Sequence, residues 1–152
     1  MADIKSILLV CTGNSCRSPM AEGFLKELLK DKKVSIRSAG TAGISGLKAS
    51  EEARRAVKAD GIDISAHRSV PITGDIIDSS DIILVMEYMH QESILHMSPG
   101  SGGKIHLITE YSIDDEDKGM EIPDPIGKPL EVYERVYDMI KRSLDGFATE
   151  FF

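Results

Sequence analysis

The sequence predicts an α/β fold: one three-layer α/β/α domain on a four-stranded parallel sheet, with a short polar loop between the first strand and the first helix. Three observations predict it. Apolar, β-prone runs alternate with stretches of helical periodicity, the pattern of parallel strands joined by right-handed crossovers. The run Asp81–Met86 is almost continuously apolar, as a strand covered on both faces requires. A length of 152 residues suits one domain, taken here as 1–152, with room for a core.

Taken in order, Ser6–Val10 reads as the first strand and the segment from Arg17 or Ser18 to Leu29 as the first helix, with Pro19 tolerated in its opening turn. Lys33–Ser38 alternates and reads as the second strand, followed by a glycine-rich run, Ala39–Gly46. Ser50 is a suitable N-cap for a helix reaching Asp60, which Gly61 can close. A short helix is expected within Ile72–Ile77, the third strand at Asp81–Met86 and a helix over Glu87–Met97. Ser98–Gly103 reads as a turn and Lys104–Ile108 as the fourth strand. Pro129 to about Phe147 closes the chain as a helix whose inner stripe is Leu130, Val132, Tyr133, Val136, Tyr137, Ile140 and Leu144.

The loop after the first strand carries the chemistry. Five residues, Thr12, Gly13, Asn14, Ser15 and Cys16, separate Cys11 from Arg17. That is enough for a tight turn whose amide N–H groups converge, backed by the positive end of the following helix. A phosphate-sized dianion suits such a place. Gly13 permits unusual backbone angles and Asn14 tolerates a left-handed one. Arg17 can grip two phosphate oxygens with its planar fork. The same dipoles and cation favour a thiolate at Cys11, which makes it a nucleophile beneath a bound phosphate. The stretch does not match the glycine-rich nucleotide loop that ends in Lys-Ser or Lys-Thr.

The run from Cys11 to Glu22, with Ser18 and Pro19 inside it, resembles the signature of the low-molecular-weight protein tyrosine phosphatases, a family that includes bacterial protein arginine phosphatases. Ser38–Thr41, Ile64–Ser69, Asp81–Met86 and Asp124-Pro125 resemble the family's other landmarks in the same order. The resemblance implies a cysteine-dependent phosphatase that forms a phosphocysteine at Cys11 and uses Arg17 with the loop from Thr12 to Ser18 to bind phosphate. It implies Asp124, held between Pro123 and Pro125, as general acid. It also implies a supporting network of Asn14, Ser18, Ser38 and His67 around the loop. No metal or cofactor is implied.

For Ile44 the glycine-rich run reads either as a plain connector or as one wall of the site's mouth, where tyrosine-specific relatives carry an aromatic residue. Ser15 and Ile126 complete the expected substrate pocket. Tyrosine-directed members tend to have a bulky aliphatic residue at the place of Ser15, and arginine phosphatases a small hydroxyl residue. Phosphotyrosine is the first reading of the substrate and phosphoarginine the second. Cys16 reads equally as a resolving thiol that captures an oxidised Cys11 or as a small buried residue.

Other classes fit less well. A net charge of −7 argues against a nucleic-acid partner. No apolar segment is long enough to span a membrane, and the residues before Ser6 are too few for a secretory signal, so a cytoplasmic location is expected. Thioredoxin-coupled arsenate reductases need redox cysteines beyond the loop, and Cys11 and Cys16 are the chain's two cysteines. A phosphocysteine carrier or a phosphate-binding module would not need Arg17 and Asp124 to complete hydrolysis. His90 and His96 stand six residues apart, on different helix faces, so a paired metal site is not expected. The acids from Asp114 to Asp117 lack the spacing of a calcium loop and read as a solvated surface segment. The expected partner is a phosphorylated protein or peptide.

Overall fold

The computed structural model describes residues 3–152; positions 1 and 2 of the expected domain lie outside the described residues. Its strands are β1 (Ser6–Cys11), β2 (Ser35–Gly40), β3 (Ile82–Val85) and β4 (Ile105–Leu107). They pair in the order β2, β1, β3, β4, every neighbour parallel. The helices are α1 (Arg17–Leu28), α2 (Glu51–Lys58), α3 (Gly74–Asp78), α4 (Tyr88–Met97) and α5 (Leu130–Phe151).

Alternation along β1 divides the core into two. Ile7, Leu9 and Cys11 face a cluster with Met20, Ala21 and Leu25 of α1, Ala53 and Val57 of α2, and Tyr133, Tyr137 and Leu144 of α5. Leu8 and Val10 face the other way, onto Ile77 of α3 and Ile94 of α4. The predicted three layers are therefore present. Leu8, Leu9, Ile83 and Leu84 are all fully buried; each such side chain contributes about 1.5–3 kcal/mol relative to exposure.

Most element ends agree with the sequence reading, and the exceptions have physical causes. β2 begins and ends two residues later than expected, because Ala39 and Gly40 stay in register with Val10 and Cys11 although alternation has stopped. The short helix starts at Gly74, since Thr73 caps it by accepting from the Ile76 N–H at 3.2 Å, while Pro71 still bridges to Gly40. The turn after α4 is a 3₁₀ helix, Pro99–Lys104, and Ile108 opens a second one rather than ending β4. α5 runs past Phe147 to Phe151, where Tyr111 packs edge to face against both Phe147 and Phe151.

The acidic segment is not wholly solvated as expected. Asp117 turns inward, accepts from Ser112 Oγ at 2.7 Å and from Arg142 Nε at 2.7 Å, and is held below the usual carboxylate range by that guanidinium.

Two long-range ties set up the sheet's carboxyl end, where ligands of open α/β sheets bind. Ser50 N donates to the Ser15 carbonyl at 2.9 Å, so α2 begins against the loop. Ile122 N donates to the Met86 carbonyl at 2.9 Å, which lays the Pro123–Pro125 segment beside the end of β3.

Candidate active site

β1 delivers Cys11 to the sheet edge, and α1 begins at Arg17, so the loop between them is as short as the sequence indicated. Its base rests on β2: Thr41 N donates to the Cys11 carbonyl and Ala42 N to the Thr12 carbonyl, both at 3.0 Å. Gly40 is essential to this fit. A β-carbon there would stand 2.5 Å from the Thr12 carbonyl oxygen and 3.0 Å from Asn14 N. Gly13 needs no special angle, contrary to expectation; Asn14 is the left-handed residue, with φ of 55°.

Asn14 is fully buried and its side chain is saturated. Its Oδ1 accepts from Val70 N at 2.9 Å, which fixes the amide's orientation, and its Nδ2 donates to Ser18 Oγ at 2.7 Å and Ser38 Oγ at 2.9 Å. The hydrogen-bond directions follow from that. Ser38 Oγ donates to Glu22 Oε1 at 2.5 Å. Ser18 Oγ, which accepts from Asn14, also stands 2.9 Å from the Cys11 sulfur, and its own proton is the donor there once that sulfur is a thiolate. His67 Nε2 donates to the Asn14 carbonyl at 2.8 Å. The structure thus brings together the four residues read as a supporting network and adds Glu22 to them.

The N–H groups of Gly13, Asn14, Ser15 and Cys16 donate to no protein acceptor among the described residues. Arg17 closes the loop. Its side chain is buried; Nη1 donates to Glu87 Oε2 at 2.6 Å and to the Ile122 carbonyl at 2.7 Å. With both Nη1 protons committed, the edge formed by Nε and Nη2 is the one left for an anion. Nη2 lies 3.5 Å from Thr12 Oγ1 and 3.8 Å from Asp124 Oδ2. Asp124 is half-exposed, its other oxygen accepting from Ile126 N at 3.1 Å.

The remaining sequence candidates lie round this centre. Cys16 is buried, its sulfur 3.4 Å from Tyr133 Oη and 3.6 Å from Ser50 Oγ. Burial, with the Cys16 contact next, pushes Tyr133 up to about 12. Ser15 Oγ lies 3.8 Å from the Cys16 sulfur. Ile44 and Ile126 are exposed.

Sequence reasoning missed Glu87 and His90. Glu87 leads from β3 into α4, at the sheet's carboxyl end, and that position was the available signal. His90 is fully buried and joined to Thr12 Oγ1 at 2.8 Å.

A family model described as low molecular weight phosphotyrosine protein phosphatase matches residues 6–151. The chain belongs to that family. Among relatives of this low-molecular-weight phosphatase, a probable low molecular weight protein-tyrosine-phosphatase EpsP from Ralstonia nicotianae is 37% identical over 145 residues, covering 95% of this chain and 94% of the relative. The crystal structure of the tyrosine phosphatase AmsI from Erwinia amylovora superposes with a TM-score of 0.90 at 33% identity, over 99% of this chain and 95% of that one. The YwlE arginine phosphatase from Geobacillus stearothermophilus gives 0.87 at 33% identity, over 96% and 92%. The low-molecular-weight phosphatase is accordingly a cysteine-dependent protein phosphatase with a four-stranded parallel sheet.

Proposed function

We propose that the chain hydrolyses phosphotyrosine on protein or peptide substrates through a phosphocysteine at Cys11. One observation carries the assignment of roles: free loop amides and the Nε–Nη2 edge of Arg17 share one short loop with a sulfur that lies 2.9 Å from the Ser18 hydroxyl. The amides of Gly13 to Cys16 and the Arg17 edge bind the three phosphoryl oxygens. The Cys11 sulfur attacks phosphorus in line, and the Ser18 hydroxyl supports negative charge on it when it leaves again. Asp124 donates a proton to the departing oxygen, then takes one from the water that releases inorganic phosphate. Asn14, Ser18, Ser38 and His67 act as supports that keep the loop's amides convergent.

Ile44 and Ile126 offer apolar contact for a substrate's side chain, and Ser15 stands where substrate class is decided. The small hydroxyl of Ser15, with the Geobacillus relative named a protein-arginine-phosphatase, supports phosphoarginine as the second reading. Comparing kcat/KM on phosphotyrosine and phosphoarginine peptides, for wild type and Ser15→Ile, tests the choice. A preference for phosphotyrosine that Ser15→Ile preserves supports the first reading; a phosphoarginine preference that Ser15→Ile abolishes replaces it. The setting proposed is the cytoplasm. No helix among the described residues is long and apolar enough to cross a membrane.

A further inference from the structure

His90 is buried within α4, away from solvent, and both of its ring nitrogens are engaged. The Glu87 backbone N–H can only donate, so His90 Nδ1, 3.0 Å away, must be the bare nitrogen that accepts from it. A neutral imidazole then carries its one proton on Nε2, which stands 2.8 Å from Thr12 Oγ1 and donates to it. The Thr12 oxygen is also the acceptor nearest Arg17 Nη2 on that side, at 3.5 Å. With both acceptor positions of the hydroxyl occupied by these two donors, its own proton is left for an acceptor in the site.

We propose that His90 is a positioning residue that acts through Thr12: by donating to the Thr12 hydroxyl it orients that hydroxyl's proton, beside Arg17 Nη2, onto the phosphoryl oxygen which Arg17 binds. This rests on the reading of the loop as a phosphoryl site. Thr12 thereby adds one side-chain donor to a ring otherwise built from backbone amides and the guanidinium, and His90 fixes its direction. Burial and the Arg17 charge push the imidazole down to about 4, in keeping with a neutral ring.

A purely structural role would be closure of the first turn of α4, since the His90 side chain accepts from Glu87 N while the His90 backbone N–H donates to the Glu87 carbonyl at 3.1 Å. A double-mutant cycle separates the two. His90→Leu, Thr12→Val and the pair are assayed on p-nitrophenyl phosphate, with inorganic phosphate as competitive inhibitor and Tm as the measure of folding. His90→Gln, which retains an acceptor and a donor, serves as the conservative variant.

Each single change is expected to lower kcat/KM roughly tenfold and raise the phosphate inhibition constant in parallel, as for loss of one hydrogen bond to a charged group. The pair should be no worse than Thr12→Val alone, and His90→Gln should stay within about threefold of wild type. The inference is overturned if His90→Leu lowers Tm but leaves kcat/KM of the folded protein intact, or if the two losses multiply. An inactive wild type would instead overturn the phosphatase reading itself, so the two failures remain distinct.

Discussion

Arg17 Nη1 donates to the backbone carbonyl of Ile122 at 2.7 Å, two residues before Asp124. The proposed phosphate-binding cation is thus tied to the segment that carries the proposed general acid. Since Ile122 N is held in turn by the Met86 carbonyl, the end of β3, the guanidinium and Asp124 form one connected unit. Displacing any part shifts the acid relative to the phosphate.

Glu87 is the charged anchor of that unit, 2.6 Å from Arg17 Nη1. Glu87→Ala is expected to lower kcat by about tenfold or more, and to lower Tm, because a buried guanidinium loses its charged partner. Kinetics beside thermal melting checks this. Wild-type kcat in the variant would show that the Ile122 carbonyl alone holds the arginine.

Gly40 is predicted to be intolerant of the smallest side chain. Gly40→Ala drives a β-carbon into the Thr12 carbonyl and should cost about 1–3 kcal/mol in denaturant unfolding, with activity falling too. Gly74→Ala, which meets no atom within 4 Å, is the control and should be neutral or stabilising by about 0.4–1 kcal/mol. Equal stabilities for the two variants would refute the packing argument.

Much of this was legible in advance, and what was not shares one cause. The strand, loop and helix around Cys11 are encoded by neighbours in sequence, and Ser50 and Thr73 cap helices locally. Arg17's partners are 70 and 105 residues away, and no local pattern pairs Arg17 with Glu87 or with a backbone carbonyl. In sequence His90 is weighed only against a metal pairing with His96, because Thr12, which gives it meaning, is 78 residues distant. In sequence Gly40 is one glycine of a glycine-rich run; only its register opposite Cys11 reveals the constraint. Asp117 reads as a solvated acid in sequence because its partner Arg142 is 25 residues away, on α5.

His90 also makes stability depend on pH. Its folded pKa of about 4 lies below the ordinary 6.5, so the unfolded chain binds more protons between those values. The neutral ring's contribution is complete above about pH 6.5 and is lost as pH falls toward 4, by up to about 3 kcal/mol. Denaturant unfolding from pH 7 to 4 should show this slope in wild type and a shallower one in His90→Gln. Parallel slopes would assign the acid sensitivity to other groups.

Cys16 is proposed to protect the site under oxidation. Peroxide converts the Cys11 thiol to a sulfenic acid, and attack by the Cys16 thiol would form a disulfide with release of water. Wild-type activity should then return with dithiothreitol, whereas in Cys16→Ser excess peroxide should carry the uncaptured sulfenic acid on to the sulfinic acid, which dithiothreitol does not reduce. Equal recovery in both proteins would leave Cys16 as a buried residue held by Tyr133 and Ser50.

The central claim is that the Cys11 sulfur accepts the phosphoryl group, and acid-quenched mass spectrometry during turnover tests it most directly. The account predicts one phosphoryl group on Cys11, enriched in Asp124→Asn, where release is slowed, and none in Cys11→Ala, which should not turn over. Steady hydrolysis by Cys11→Ala, or a phosphoryl group on another residue of the wild type, would contradict it.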